Sequence, residues 1–477
     1  MASISASPGV SLTPAPSKVT LADSYISSFD FLNQYLPDVY EKEFETYGNR
    51  SVSSFLRLVG AEMPCNSDLI KWAEQGRLHI KYEGNNLTDG VAAGDGVIEI
   101  NIANSVLRVG QTIMISDGTS STVSNKGVIT AVTSAKVTAA LYDAGGVASF
   151  TSINASDNSS TDVDVFVYGS EFKKGTSGMA DSLEAESTIR ENNPIIIKDK
   201  YEVNGSDMAQ IGWVEVTTEN GATGYLWYLK SEHETRLRFE DYLETAMIEG
   251  VPAADESSAT SDNNAKEEGY KGTEGLLYAL ENRGNISSGS LGALTDIDNI
   301  VLRLDKQGAI EENVMFLDRA TSFEVDNLLA ELNGYNGSGA ANAASFGLFD
   351  NDVDMALNLG FSGFRRGYDF YKSDWKYLND ATMRGGITGG KIDGVIVPAG
   401  STTVYDQILG KNAKRPFLHV RYRASEADDR KMKSWVTGSV GGAYTSDLDA
   451  MEVHFLSERC LCVQGANNFV LFKSTQA

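Results

Sequence analysis

Residues 385–391 read Gly-Gly-Ile-Thr-Gly-Gly-Lys and imitate a loop that wraps phosphate in backbone N–H groups. Ile392 follows the lysine, where a nucleotide loop needs Ser or Thr to hold magnesium, and no clear helix pattern succeeds it. The spacing therefore does not support a nucleotide site. Asp350, Asp352 and Asp354 alternate as calcium ligands do, but Met355 and Phe361 stand where such a loop needs glycine and a bidentate glutamate. Helix caps or a weak surface cation fit that run better. His79, His233, His419 and His454 lie in unrelated segments, and neither Gly-x-Ser-x-Gly nor His-Glu-x-x-His occurs. Cys460 and Cys462 flank Leu461 in a strand-like run, so they share a face and read as small apolar groups in a core or contact. With Cys65 as the third cysteine, a chain this long has no disulfide framework. His454, the nearest histidine in sequence, lacks companion ligands for a metal. No cofactor is expected, and no enzyme; carboxylates assembled in space, as in a cytoplasmic hydrolase with a β-rich accessory domain, are the catalytic alternative.

Other groupings suit contact rather than catalysis. Glu232 with Arg236, and Glu234 with Arg238, are acid-before-base pairs at four-residue spacing, each worth roughly 0.2–0.5 kcal/mol on a helix. Arg365, Arg366 and Lys372 are interleaved with Phe361, Phe364, Tyr368, Phe370, Tyr371, Trp375 and Tyr377. Such rings can stack on bases or fill a sheet edge or subunit contact, and the acidity of the chain favours the second use. Between residues 411 and 433 stand Lys411, Lys414, Arg415, Arg421, Arg423, Arg430, Lys431 and Lys433 against only Glu426, Asp428 and Asp429. In an acidic chain this basic strip fits either other copies of the same chain or a plain solvated strand face.

The elements that must position these groups fall into successive stretches. Residues 1–22, rich in Ser, Ala, Pro and Thr, read as a flexible arm, followed by helical patterns through 29–37, 39–47, 51–59 and 67–75. From about residue 76 to 175 period-two runs such as Val97-Ile98-Glu99-Ile100-Asn101-Ile102 alternate with glycine turns, so a small antiparallel barrel or sandwich over roughly 85–170 sits inside a longer hairpin. Strand patterns at 195–197, 211–216 and 225–229 lead into a helix over 231–250. Ser231 and Glu234 would form its capping box, and Phe239, Leu243, Ala246 and Met247 its apolar stripe. An acidic loop over 252–269 precedes helices over 273–283, 296–307 and 321–334, with Thr321 and Glu324 forming a second capping box, and a strand over 313–317. Gly284 and Gly308 suit left-handed caps. Strands over 394–397, 417–423, 451–456, 461–463 and 469–472 close the chain. The alternation predicts helices on a sheet, an α/β arrangement.

At 477 residues the chain has room for about three domain-sized units. Forty basic against 65 acidic residues leave a formal charge of −25, which repels nucleic-acid phosphate and excludes a dedicated nucleic-acid reader. No run approaches ~18 consecutive apolar residues, so no membrane span is expected. The first positive charge is Lys18, with no apolar core before it, so no signal peptide is expected and the chain is expected to mature in a cytoplasm.

This order of parts, with the segments TLADSYISSFDFL, FLDRATS, RYRASEADDRKMKSWVTGS and SERCLCVQGANNF, resembles the major capsid proteins of tailed bacteriophages with the Hong Kong 97-type fold, most closely those of crAss-like phages. The resemblance implies an α+β fold. An N-terminal arm and first helices (1–75) would precede an extended β-hairpin loop (76–230) carrying the β-rich insertion. The spine helix of a peripheral domain with its acidic loop (231–269), an α/β axial domain (270–400) and return strands of the peripheral domain (401–477) would follow. It implies a virion protein, assembled in the host cytoplasm. Its hexamers and pentamers would enclose double-stranded DNA without reading its sequence, and portal, decoration or head-fibre proteins would be further partners. The charged ladder, Arg365, Arg366 and the basic strip would then be subunit contacts. No counterpart of the family's lysine–asparagine cross-link site is recognisable. A head decoration protein or tail-tube subunit is the structural alternative.

Overall fold

Ile98 and Ile100 alternate with Glu99 and Asn101, a period that places one side of a strand in apolar surroundings and the other in water. In the computed structural model this pattern builds a closed barrel. The structure describes residues 55–56, 61–89, 96–118, 124–143, 153–154, 159–181, 184, 187–209, 216–217, 223–224, 227–253, 265–266, 268–288, 291–335, 362–399, 401–406, 411–442 and 444–473. The arm of residues 1–22, nearly all of the early helical patterns, the Asp350 run and Phe361 lie outside them. The chain divides into two units, each described by itself: Ile197–Glu244 with Met432–Ser457, and Ser54–Ile196 with Thr245–Lys431 and Glu458–Ala477.

In the larger unit the barrel strands are antiparallel throughout. Lys81–Asp89 pairs with Val97–Asn101, then follow Lys136–Leu141, Ser124–Val132, Gln111–Asp117 and Ser159–Ser170, which pairs back to Lys81–Asp89. Closure removes the unpaired edges that make small sheets stick to one another. Leu87, Ile98, Ile100, Ile113, Ile115, Ile129, Val137, Val163 and Val165 fill the interior and are fully buried. Gly127 is glycine for lack of room: a Cβ there would lie 2.6 Å from the Ala140 carbonyl oxygen.

The segment expected to be helical over 67–75 is a strand, Ile70–Gln75, antiparallel to Ser187–Asn192 with Trp72 opposite Arg190. Its residues alternate between half-buried and exposed, a period of two that pairing enforces and helical propensity cannot. This ribbon brackets the barrel in sequence.

A six-stranded mixed sheet forms the second core of this unit. Its order is Asn285–Ser287, Val470–Lys473, Ile392–Pro398, Glu312–Leu317, Tyr368–Asp374 and Gly363–Arg366. Helices Leu276–Arg283, Leu294–Lys306 and Arg319–Tyr335 alternate with the strands. Leu291, Leu304, Met315, Leu317, Val325, Phe370, Ile396 and Phe472 pack together in the core. The third helix begins before Thr321. The Asp318 carboxylate accepts from the Thr321 N–H at 2.8 Å, so Asp318 does the capping assigned to Thr321. Gly308 is left-handed at φ 67°, but Gly284 is extended at φ −91° and ψ −171°; its reason is space, since a Cβ would lie 2.9 Å from the Leu280 carbonyl oxygen.

The last strands also differ from expectation. Ala450–Val463 is one continuous strand rather than two: Ser457, Glu458 and Arg459 are buried instead of turning to water, and Arg459 pairs with Tyr422. In the larger unit its later part lies antiparallel to Leu418–Arg423, which in turn runs parallel to Ala61–Cys65.

In the smaller unit the long helix starts at Trp227, not Ser231, and ends at Glu249 beyond the unit boundary. Trp227, Tyr228 and Leu229, expected in a strand, open it. Tyr228, Thr235, Phe239 and Leu243 are spaced by seven, four and four residues, so the apolar stripe extends back past the supposed cap. Ser231 sits inside the helix, where its carbonyl accepts from the Thr235 hydroxyl at 2.9 Å. Phe239 and Leu243 pack on Met451, Val453 and Phe455, with the Phe239 and Phe455 rings stacked 5.7 Å apart.

Candidate subunit-contact residues

The charged ladder of the helix exists with different partners. Lys230 Nζ lies 3.9 Å from Glu234 and Arg236 Nε 3.5 Å from Glu240, so these pairs run base before acid. That order opposes the helix dipole and is the weaker one. Arg236 and Arg238 are exposed, and Glu232 is half-buried.

Arg365 and Arg366 occupy the edge strand Gly363–Arg366. Arg366 makes a two-pronged pair with Asp298, with Nη2 2.8 Å from Oδ2, which holds the Asp298 carboxyl below its ordinary range. Arg365 reaches Asp369 across the strands at 3.1 Å and stays 74% exposed. The aromatic residues are mostly structural. Tyr368, Phe370, Trp375 and Tyr377 are buried, and Phe55 stacks on Trp375 at 4.5 Å; Tyr371 remains open to solvent. Rings committed to a core are not available to bases.

Part of the basic strip, Arg423, Arg430 and Lys431, pairs with carboxylates of the same chain. Lys411, Lys414 and Arg415 lie on strand Lys411–Pro416, paired with Ser401–Asp406. Arg421 is half-buried, with Nη1 3.8 Å from Met63 sulfur. Arg423 and Arg430 converge on the buried Glu458 at 3.3 and 2.5 Å, and Arg423 also binds Asp68, lowering the Asp68 carboxyl through the hydrogen bond and its charge. Lys431 and Arg459 both meet Glu62, the latter at 3.5 Å. Lys433 begins strand Lys433–Gly438 in the smaller unit. Two glutamates far apart in sequence, Glu62 and Glu458, thus meet Lys431, Arg423 and Arg430 of the run that looks basic when read linearly.

The other chemistry-bearing motifs are likewise occupied. Lys391, the lysine of the phosphate-loop imitation, lies 3.3 Å from both Asp318 and Asp393. Carboxylates stand where phosphate oxygens would, and burial raises the Asp393 carboxyl. Cys460 and Cys462 are buried on one face of strand Ala450–Val463, as the spacing implied. The hydrogen bond between them, then burial, holds the Cys460 thiol above its usual range. Among the described residues no group of three His, Cys, Asp or Glu side chains is placed to hold a metal, and no helix is long and apolar enough to cross a membrane.

Two polar centres in the larger unit were not legible in the sequence. Asn192, buried at the end of the ribbon, donates to the carbonyls of Glu274 and Leu461 at 2.9 and 2.6 Å; it accepts from Thr273, Glu274 N–H and Asn193 N–H. Its only local sign is the Asn-Asn-Pro run that ends a strand. Glu249 binds Tyr377 at 2.7 Å and Arg384 at 2.9 Å, and burial with that bond raises the Tyr377 phenol. The ribbon itself leaves Ile189 66% exposed, and Leu78 beyond it is 82% exposed.

No protein-family model matches the chain, and a search of curated proteins returns no match. Among solved structures it is similar to a chain of Microbacterium phage Oxtober96, at 11% identity and TM-score 0.37, covering 94% of this chain and 100% of that one. A chain in a capsid of a native GTA particle, computed with C5 symmetry, gives 9% identity and TM-score 0.38 over 95% and 99%. A chain in the capsid structure of the cyanophage P-SCSP1u gives 9% and 0.32 over 65% and 81%. Scores this low carry no inference about fold or function; what stands by itself is a mixed α and β chain rich in sheet.

Proposed function

We propose that this chain is the major capsid protein of a tailed double-stranded DNA bacteriophage, with a Hong Kong 97-type fold, and that its copies assemble as hexamers and pentamers. The observation that supports the reading is the order of elements along the chain. A two-stranded ribbon brackets a closed barrel, a 23-residue helix follows, helices then alternate with the strands of a mixed sheet, and Val470–Lys473 returns to an inner position of that sheet. This is the layout implied by the resemblance to crAss-like phage capsid proteins. The work of such a chain is structural, its site is its own surface, and its place is the virion. In that reading the exposed Arg236, Arg238 and Arg365, with Glu232 and Glu234, contact other copies. The internal pairs of Arg366, Arg423, Arg430 and Lys431 hold the elements that present them.

Expression of the full chain, followed by gel filtration and negative-stain microscopy, tests the proposal. Rings, capsomers or closed shells are the expected products. A compact monomer at every concentration, with or without other virion proteins, would overturn it.

A further inference from the structure

A cavity of about 500 Å³ lies against the outside of the barrel. Its wall is strand Ser124–Val132, whose Val128 and Thr130 alternate with the buried Gly127 and Ile129 and so face outward. Residues Glu171, Phe172, Lys173 and Thr176 continue from the end of Ser159–Ser170 and line the other side, with Tyr142 at the rim. Phe172 lies against Gly110, which is left-handed at φ 91° and whose missing Cβ would overlap the ring; the residue is still 40% exposed. A fixed, flat apolar surface is thereby turned toward solvent. Beside it the Tyr142 hydroxyl donates to the Glu171 carboxylate. The hydroxyls of Thr130 and Thr176 donate to backbone carbonyls, which leaves their lone pairs able to accept.

The charges select the kind of ligand. Glu171 and the overall charge of −25 oppose an anion, while Lys173 opposes a quaternary ammonium; the nearby Tyr168 ring already carries Lys126 at 5.6 Å. A purely apolar ligand would leave unused the remaining accepting capacity of the Glu171 carboxylate and the two threonine hydroxyls. A sugar ring presents a C–H face and a rim of hydroxyls and matches both halves of the wall. We propose that this cavity binds a neutral saccharide, with Phe172 against a pyranose face and Glu171, Thr130 and Thr176 accepting from its hydroxyls. The site is independent of the assembly reading, since every residue in it belongs to the barrel and its flanking segments.

The test is saturation-transfer NMR and titration calorimetry on the full chain with glucose, galactose, mannose, N-acetylglucosamine and their β1→4 dimers, with phosphocholine and citrate as charged probes. At least one neutral saccharide is expected to bind. Phe172→Ala should weaken it at least about tenfold and Glu171→Gln measurably, with the thermal transition of the Glu171→Gln protein unchanged. The proposal is overturned if no neutral saccharide binds, if a charged probe binds more tightly, or if binding survives both substitutions.

Discussion

At the scale of single residues, the least replaceable polar group is Asn192. Both of its amide hydrogens point at carbonyl oxygens and its own oxygen receives three donors, a set that no other side chain of that size supplies. Asn192→Asp keeps the volume but turns two donors into an acceptor facing carbonyls. We expect a loss of about 3 kcal/mol in urea unfolding, no smaller than the loss for Asn192→Ala, because an unmatched buried charge costs more than a missing group. An Asp variant as stable as the wild type would show that water already fills the knot. Glu452 offers a pH test. Hydrogen bonds from Lys200 at 2.9 Å and Thr437 at 3.1 Å draw its carboxyl below its ordinary value of 4.5. A depressed folded value means stability that is present above pH 4.5 and lost as pH falls through the folded value. The stability gap between wild type and Glu452→Gln should therefore be constant near neutral pH and close below 4.5, as read from denaturant midpoints at each pH. A gap that widened on acidification would reverse the assignment.

At the scale of elements, the barrel should be separable. It has its own core and a closed hydrogen-bonded circuit, so a fragment spanning residues 77–181 is expected to melt in one cooperative transition. In that fragment Gly127→Val should lower the melting temperature by several degrees, because the added carbons meet the Ala140 backbone. A fragment that stays unfolded would mean that the barrel leans on the rest of its unit. The barrel was legible because alternation and glycine turns are local signals. The helices of the mixed sheet were legible for the same reason, within a few residues at each end. What could not be read is whatever depends on partners far away in sequence. Trp72 belongs to a strand only because residues 187–192 pair beside it. The 451–463 segment looked broken only because Glu458 and Arg459 find their counter-charges at Arg430 and Glu62. The intrachain partners of Arg423, Arg430 and Lys431 were hidden for that reason too: Glu62, Asp68 and Glu458 lie outside the 411–433 run and beside it in space.

At the scale of the whole molecule, the proposed assembly makes a prediction about salt, set by the formal charge of −25 and the internal pairing of Arg423, Arg430 and Lys431. Two such subunits repel at long range, and the repulsion is screened over about 10 Å at 0.1 M salt and about 3 Å at 1 M. If copies met chiefly by placing the basic strip of one on the acids of another, salt would weaken assembly. In the proposed shell, Arg423, Arg430 and Lys431 are already paired with carboxylates of their own chain, which leaves exposed apolar residues such as Ile189 and Leu78 as a source of attraction that salt does not weaken. The concentration needed for assembly, measured by light scattering and sedimentation, should therefore fall as sodium chloride is raised from about 0.05 M to about 1 M, where screening is nearly complete. Placing a charge on this face with Ile189→Asp should raise that concentration at every salt level without changing the melting temperature of the barrel. Particles that dissolve on adding salt would instead place the dominant contacts between the basic strip of one copy and the acids of the next.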